Sequence, residues 1–573
     1  MARMFDKSAK GSRSFGSVGP LGTAIVNIAM ALFVACSLWA CGRGISLDPS
    51  VSEPQLRSDG SHGLDAADGS STEVERGDAD ASVITADRKD APIETNEGAS
   101  DAVDETGDAL PDGTVEAGDG CATACGEPSA DYYVDANASP GGDGSSLRPY
   151  RTITAAIDAY SGSQGEPKTV RVAPGTYDEA LGEHFPLSLR GLSLEGAGAD
   201  KTFIVGTGEL DHSLAGGVFN ATYQVTLLIG DRALHTRIAG LTVRPTSSFP
   251  ALNYHGVLCD RGSASGEVMA PGGQTTLDNI VVGPGYNVAV VATTSTSPST
   301  TGCNLQMTGS TLTGGWAGLF GVGCARGGGG SGEVVLDIGG ADVASGNTIS
   351  SMHMPDAGWG VLVEECASGR FRFNRFVDDG YGVSLDQSLA TSPSSFSFAH
   401  NTFESLWYQG LGTLGLATID DLTDNQFIDI SASFWRVSQS AWATALATDA
   451  ANLKRARNNK FIGNDIGVQL AVSDNSISPS DFGTPADPGN NVFRCNSSPP
   501  VGEGADVLVI SNGSSILPFA GNAWDHNPPT VVTSDPYADG SDMVLNGSPS
   551  PQVDTSSASV ATADCPINRV PGP

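Results

Sequence analysis

Residues 374–410 read NRFVDDGYGVSLDQSLATSPSSFSFAHNTFESLWYQG. Two short units alternate in this stretch. The first is Asn, any residue, then a large apolar residue, as in Asn374-Arg375-Phe376 and Asn401-Thr402-Phe403. The second is an aromatic residue, then a small one, then an apolar run, as in Tyr381-Gly382-Val383 and Tyr408-Gln409-Gly410-Leu411. Outward from here the first unit recurs as Asn279-Ile280-Val281, Asn347-Thr348-Ile349, Asn425-Gln426-Phe427, Asn459-Lys460-Phe461, Asn491-Val492-Phe493 and Asn522-Ala523-Trp524, with Ser310-Thr311-Leu312 filling the gap. Successive copies lie 24 to 37 residues apart. The second unit recurs at Tyr254, Tyr286, Trp316, Trp359 and Trp435, each before the next Asn unit, and Asp465-Ile466-Gly467-Val468 continues it without the aromatic residue.

Two units in strict alternation at this period predict a coil with two corresponding strands per turn and loops of variable length. The fold class is therefore all-β, a parallel β-helix. No single coil can bury its inward face, so coils stack at about 4.8 Å and share backbone hydrogen bonds. Asn at equivalent corners can form an amide ladder, as in other parallel stacks. Corners that need positive φ account for the glycine content. Roughly 400 residues at about 30 per coil give about 13 coils and a rod of about 60 Å. No helices of 10–15 residues alternate with the strands, which excludes the doubly wound and TIM-barrel folds.

Composition agrees and bounds the function. The chain has 573 residues, 73 of them Gly, with 17% charged side chains and a formal net charge of −35. Such acidity excludes binding to nucleic acid through a basic face. The charge is unevenly spread. Residues 1–40 combine Arg3, Lys7, Lys10 and Arg13 with an apolar run from Leu21 to Ala40, the layout of an export signal. Leu38-Trp39-Ala40-Cys41 resembles the bacterial lipoprotein signal, in which the thiol, here Cys41, is lipidated; Trp39 departs from the small residue usual there. A membrane-spanning anchor and lipidation at Cys36 are the alternatives. The segment 41–130 is an acidic linker. Its residues 42–120 hold 20 acidic and 5 basic side chains and no Phe, Tyr or Trp. This composition predicts disorder and a self-repelling, extended tether. The expected location is the bacterial cell envelope, at the outer membrane, with the N-terminal lipid in the membrane and the head a monomer. Eight further cysteines, Cys121, Cys125, Cys259, Cys303, Cys324, Cys366, Cys495 and Cys565, favour disulfides over zinc, because only the first two lie close together. Their pairing is not readable from sequence.

The head, 131–565, opens with a helical stripe in which Ile153, Ala156, Ile157 and Tyr160 share one face, suited to covering the open end of the rod. Around it stand Asp131-Tyr132-Tyr133-Val134-Asp135, Pro140-Gly141-Gly142-Asp143-Gly144, Arg148-Pro149-Tyr150-Arg151-Thr152-Ile153, Ala173-Pro174-Gly175-Thr176-Tyr177 and Leu194-Glu195-Gly196. These runs resemble the opening of pectin-lyase-like right-handed, single-stranded β-helix proteins, and more narrowly a family of unknown function whose members begin with this cap. The resemblance implies the fold, and it carries no activity with it.

Enzymes of that fold cleave acidic polysaccharides with Ca²⁺ carboxylates and a basic residue, or with paired Asp residues. The hydrolase pattern is absent. Asp378-Asp379 and Asp420-Asp421 exist, but His255-Gly256 lies upstream of both. The best local convergence of charge is Glu364, Glu365, Arg370, Arg372, Arg375, Asp378 and Asp379; of these Arg372, Arg375, Asp378 and Asp379 are the catalytic candidates, against a plain solvated face. No cofactor is required, with Ca²⁺ left as a possibility; Asp135, Asn137 and Asp143 offer oxygen ligands but also fit a turn. The aromatic residues Tyr254, Tyr286, Trp316, Trp359, Tyr381, Tyr408 and Trp435 would line up along the rod, as a glycan-binding track facing outward or a packing ladder facing inward. Three functions follow: a non-catalytic surface protein binding glycan or another surface, a polysaccharide lyase or glycoside hydrolase, or a structural spacer.

Overall fold

A computed structural model describes residues 131–566, except 161–167, 190, 215–218, 231–234, 247–252, 262–272, 295–301, 324–332, 353–357, 391, 433–442, 450–451, 473–479, 497–503, 512–515, 534–540 and 548–549. Cys41, the export segment and the linker lie outside the described residues, as do Cys324 and Trp435.

Most of the described strands form three long parallel sheets in which successive neighbours come from successive coils, while Ile516–Pro518 and Gln552–Asp554 pair by themselves and Val531–Val532 pairs with the closely following Ser541–Gly547. Sheet 1 has 11 strands, from Tyr132–Val134 to Ala456–Arg457; sheet 2 has 13, from Gly175–Asp178 to Ser559–Val560; sheet 3 has 13 along its path, from Leu187–Ser188 to Val531–Val532, and one more off it. The chain visits sheets 1, 2 and 3 in turn, a parallel β-helix. Each coil thus has three strands where the two sequence units predict two. The Asn unit marks sheet 2 and the aromatic unit marks sheet 3. Sheet 1 has only period-2 alternation, as in Leu336/Ile338 and Phe396/Phe398, all buried, so no fixed motif announces it. One antiparallel arm departs from the pattern: Gly208–Leu214 pairs with Phe219–Ile229.

The corner between sheets 1 and 2 is held by asparagine. Asn347, Asn374, Asn401, Asn425, Asn459, Asn491 and Asn522 are 0–1% exposed. Each of the first six donates from Nδ2 to Oδ1 of the next at 2.9–3.0 Å. Each Oδ1 also accepts a backbone N–H, as Asn425 does from Asn401 at 2.9 Å, and Nδ2 also donates to a backbone carbonyl, as Asn425 does to Phe398 at 2.9 Å. Every amide capacity that burial strands is met within the ladder. Ser310 begins it, donating its N–H to Asn347 Oδ1 at 2.9 Å. Asn279 is not a rung. The register pairs Val282 with Leu312, and Ile280 donates its N–H to Ser310 Oγ; Asn279 sits one residue earlier at φ 50°.

Two residues past each Asn the apolar side chains stack inside the rod. Phe376, Phe403, Phe427, Phe461, Phe493 and Trp524 follow one another at centroid spacings of 4.6–5.1 Å, closing at 4.5 Å. Each such burial contributes about 1.5–3 kcal/mol. The residue before every rung from Asn374 onward takes the left-handed conformation, and it is Phe373, His400, Asp424, Asn458 or Asn490 more often than glycine; Gly346, before Asn347, is extended at φ −69°. The glycine excess therefore serves a second purpose. In sheet 3 the register column Gly318, Gly360, Gly382, Gly410 and Gly467 packs against the backbone of the next coil, so that a Cβ at Gly382 would lie 2.5 Å from Gly410 O.

The helix Ile153–Ala159 packs against strands Tyr132–Val134, Thr169–Val172 and Leu187–Ser188, with Ile153 and Ala156 buried. Glu183 receives the N–H groups of Ile153 and Thr154 at 2.6 and 2.8 Å. Cys259 is bonded to Cys303 and Cys495 to Cys565, and Cys366 is disulfide-bonded. Among the described residues no helix is long and apolar enough to cross a membrane.

Candidate functional site

The charged candidates do not converge. Arg372 ends a sheet 1 strand and Arg375 begins the next strand, in sheet 2. Arg370 and Arg372 both pair with Asp337, at 2.9 and 3.1 Å, while Arg375 pairs with Glu404 at 2.8 Å. Asp378 stands at the following corner with φ 58° and accepts from Ser351 Oγ at 3.4 Å. Asp379 is fully buried, accepts the Met352 N–H at 2.9 Å, and burial pushes its carboxyl well up. Glu364 closes a sheet 3 strand beside Asp386, both nearly buried. A proton-abstracting arginine opposite a bound cation needs a shared face, and these residues occupy three sheets.

His255, the histidine nearest to a hydrolase pattern, is 4% exposed against Tyr223, with burial pushing its pKa down to about 3. Asp421 pairs with Arg455 at 3.0 Å and Asp420 with Lys454 at 2.5 Å. Asp135 and Asp143 organise turns, accepting the N–H groups of Asn137 and Ser145 at 2.9 and 3.1 Å. A cavity of about 360 Å³ at the first coils is lined by Asp135, Arg171 and Glu195 among others. Arg171 there is bound to Asp131 and Glu195 at 2.8 and 3.1 Å.

The aromatic series splits. Tyr286 is 2% exposed, and its hydroxyl lies 2.6 Å from Thr226 Oγ1. Tyr254 packs on the central core. Trp316, Trp359, Tyr381 and Tyr408 instead form a half-buried ladder at the leading edge of sheet 3. Trp316 meets Trp359 edge-on at 4.8 Å. Trp359 stacks on Tyr381 and Tyr381 on Tyr408, both at 5.3 Å. Their faces are turned to one another, so what they offer outward is ring edges. Burial, with Tyr408 beside it, pushes the Tyr381 pKa up to about 12.

Sheet 3 also differs from coil to coil on its outer face. Upstream, Val225, Leu258, Val288, Val291, Phe320 and Leu362 form an apolar cluster separate from the interior core. Past Leu362 the same register column continues as Ser384, Gly412, Ala447 and Gln469, then returns to Leu508. A row of small residues thus runs along the rod axis beside Tyr381 and Tyr408, partly exposed at Ser384 and Ala447 and buried at Gly412, over which the Gln409 side chain lies. The register that aligns them depends on loop lengths, so no local motif reveals the row.

The family model described as "Protein of unknown function (DUF1565)" matches residues 137–270 and 374–531. The chain belongs to this family. No curated protein matches this DUF1565 member. Similar solved structures include pectin methylesterase PemA from Erwinia chrysanthemi, 11% identical over 56% of this chain and 93% of that one, with a TM-score of 0.32. The catalytic unit of a GH87 alpha-1,3-glucanase from Streptomyces thermodiastaticus is 14% identical over 78% and 72%, with a TM-score of 0.38. The A-module of mannuronan C-5 epimerase AlgE4 from Azotobacter vinelandii is 12% identical over 72% and 92%, with a TM-score of 0.34. At such values these structures say nothing of this chain's activity.

Proposed function

We propose that this DUF1565 protein is an exported, lipid-anchored protein of the bacterial cell envelope whose β-helix holds an uncharged polysaccharide along sheet 3 without cleaving it. The observation that carries the reading is the column Ser384, Gly412 and Ala447, partly exposed at Ser384 and Ala447 and covered by the Gln409 side chain at Gly412, flanked by the edges of Tyr381 and Tyr408. Small residues let a flat sugar chain approach the sheet, and tyrosine edges combine apolar contact with hydrogen bonding. The last 453 residues carry 44 acidic against 21 basic side chains, which disfavours a polyanion. The non-catalytic part of the reading is supported by the arginines being paired and Asp379 enclosed. Affinity electrophoresis of the full chain in gels containing neutral glucan or polyuronate tests it. Retention by the neutral polymer is expected, lost at least about tenfold, or ~1.4 kcal/mol, in Tyr381→Ala/Tyr408→Ala and in Ala447→Arg with unchanged melting. Equal retention of these variants, or release of shortened polymer, would overturn it.

A further inference from the structure

The column of sheet 3 that meets the neighbouring backbone is Gly256, Ala289, Gly318, Gly360, Gly382, Gly410, Ala445 and Gly467 in eight successive coils. In the next two it becomes Asp506 and Asp542, neighbours in the register set by Ala505↔Ser541 and Val507↔Met543. A position that holds at most a methyl group in those eight coils, after Thr226 in the coil before them, here holds carboxylates, each 2% exposed. Asp525, following the sheet 2 strand Ala523–Trp524, joins them, and one oxygen of each of the three lies within 4.8 Å of the others.

Each carboxylate is fixed through one oxygen. Asn496 Nδ2 donates to Asp506 Oδ1 at 2.7 Å, and the Cys495 N–H donates to Asp525 Oδ2 at 2.9 Å. Asp542 Oδ2 receives the Thr530 N–H at 2.6 Å and lies 3.0 Å from His526 Nδ1. The opposite oxygens of two of them, Asp506 Oδ2 and Asp525 Oδ1, are buried and accept no hydrogen bond. Burial, then the neighbouring carboxylates, push the Asp506 carboxyl far up, and burial raises that of Asp525. Three acids oriented by outer donors, with unfilled oxygens enclosed among them, have the form of a ligand set.

We propose that Asp506, Asp525 and Asp542 bind one hard divalent cation, Ca²⁺, which clamps the last coils of the rod. Carboxylate oxygens suit a hard ion, and Ca²⁺ accepts irregular, protein-built shells more readily than Mg²⁺. A proton shared by Asp506 and Asp542 would relieve that pair but leave Asp525 Oδ1 unfilled.

The test is Tb³⁺ luminescence excited through tryptophan in the chelator-stripped full chain. Trp524 adjoins Asp525, whereas the acidic linker, residues 42–120, has no tryptophan and gives no sensitised signal. One Tb³⁺ per chain, displaced by Ca²⁺ in preference to Mg²⁺, and a melting temperature that climbs with Ca²⁺ are expected. Asp525→Asn loses both responses while remaining folded; Asp506→Asn loses both and melts higher than the parent without metal, because a like charge is gone. The proposal fails if the parent gives no sensitised emission, if both variants respond as the parent does, if Mg²⁺ displaces better than Ca²⁺, or if the metal-free chain gains stability on acidification with no response to Ca²⁺.

Discussion

An asparagine in the sheet 1–sheet 2 corner acts through both ends of its side chain. Removing the amide of Asn425 strands the Asn401 N–H and one Asn401 Nδ2 proton below it and takes a donor from Phe398 O, while Asn459 Oδ1 keeps the Asn425 backbone N–H. Each buried unpaired group costs about 1–3 kcal/mol, so Asn425→Ala should lower stability by several kcal/mol in urea denaturation. Asn279→Gly should shift it by less than about 0.5 kcal/mol, because Asn279 occupies the left-handed site rather than a rung. The sequence shows the ladder well, since Asn recurs with a large apolar residue two positions on; it misleads at Asn279 because the left-handed site also favours Asn. His255 supplies a pH signature. The unfolded chain protonates it near 6.5, while the folded chain resists to about 3. Its contribution is complete above pH 6.5 and is lost as pH falls from there toward 3. His255→Phe should therefore lose less stability than the parent across that window, read from urea midpoints.

At the scale of elements, the aromatic unit has two jobs that its spelling does not separate. Its glycine is set by close approach between coils. In Gly382→Ala the new methyl would lie 2.5 Å from Gly410 O and 2.7 Å from Phe403 Cδ1, and neither backbone nor a stacked ring gives way easily. A loss of more than about 2 kcal/mol, or failure to fold, is expected in thermal melts, whereas Gly230→Ala, with open space at its Cβ, should fold. Its aromatic residue faces inward early, at Tyr286, and half outward later, from Trp316 onward. That change follows the outer surface of sheet 3, apolar as far as Leu362 and small-residued beyond it. Identity and spacing of the rings were legible in the sequence; their direction was not, because it depends on which neighbours cover the sheet. The carboxylates of the last coils escaped for a related reason: Asp506 and Asp542 signify something only once their column is known to hold glycine or alanine in the eight coils before them.

Across the whole molecule, sequence patterning and the three sheets describe one rod, and its charge separates two parts of the chain. The linker residues 42–120 carry a net −15 in 79 residues, against −23 in the last 453, so acidity is concentrated in the segment expected to act as a tether. The rod itself pairs its arginines with acids along its flanks, and exposed pairs of that kind contribute at most about 1 kcal/mol each. A binding row parallel to the axis has a measurable consequence, since each coil adds about 4.8 Å of contact. The most direct measurement is calorimetric titration of the full chain with neutral oligosaccharides of increasing length, followed by mass spectrometry of the recovered sugars. Affinity that climbs with length to a plateau, with every oligosaccharide recovered intact, is the predicted result; affinity independent of length, or shortened sugars, would contradict it.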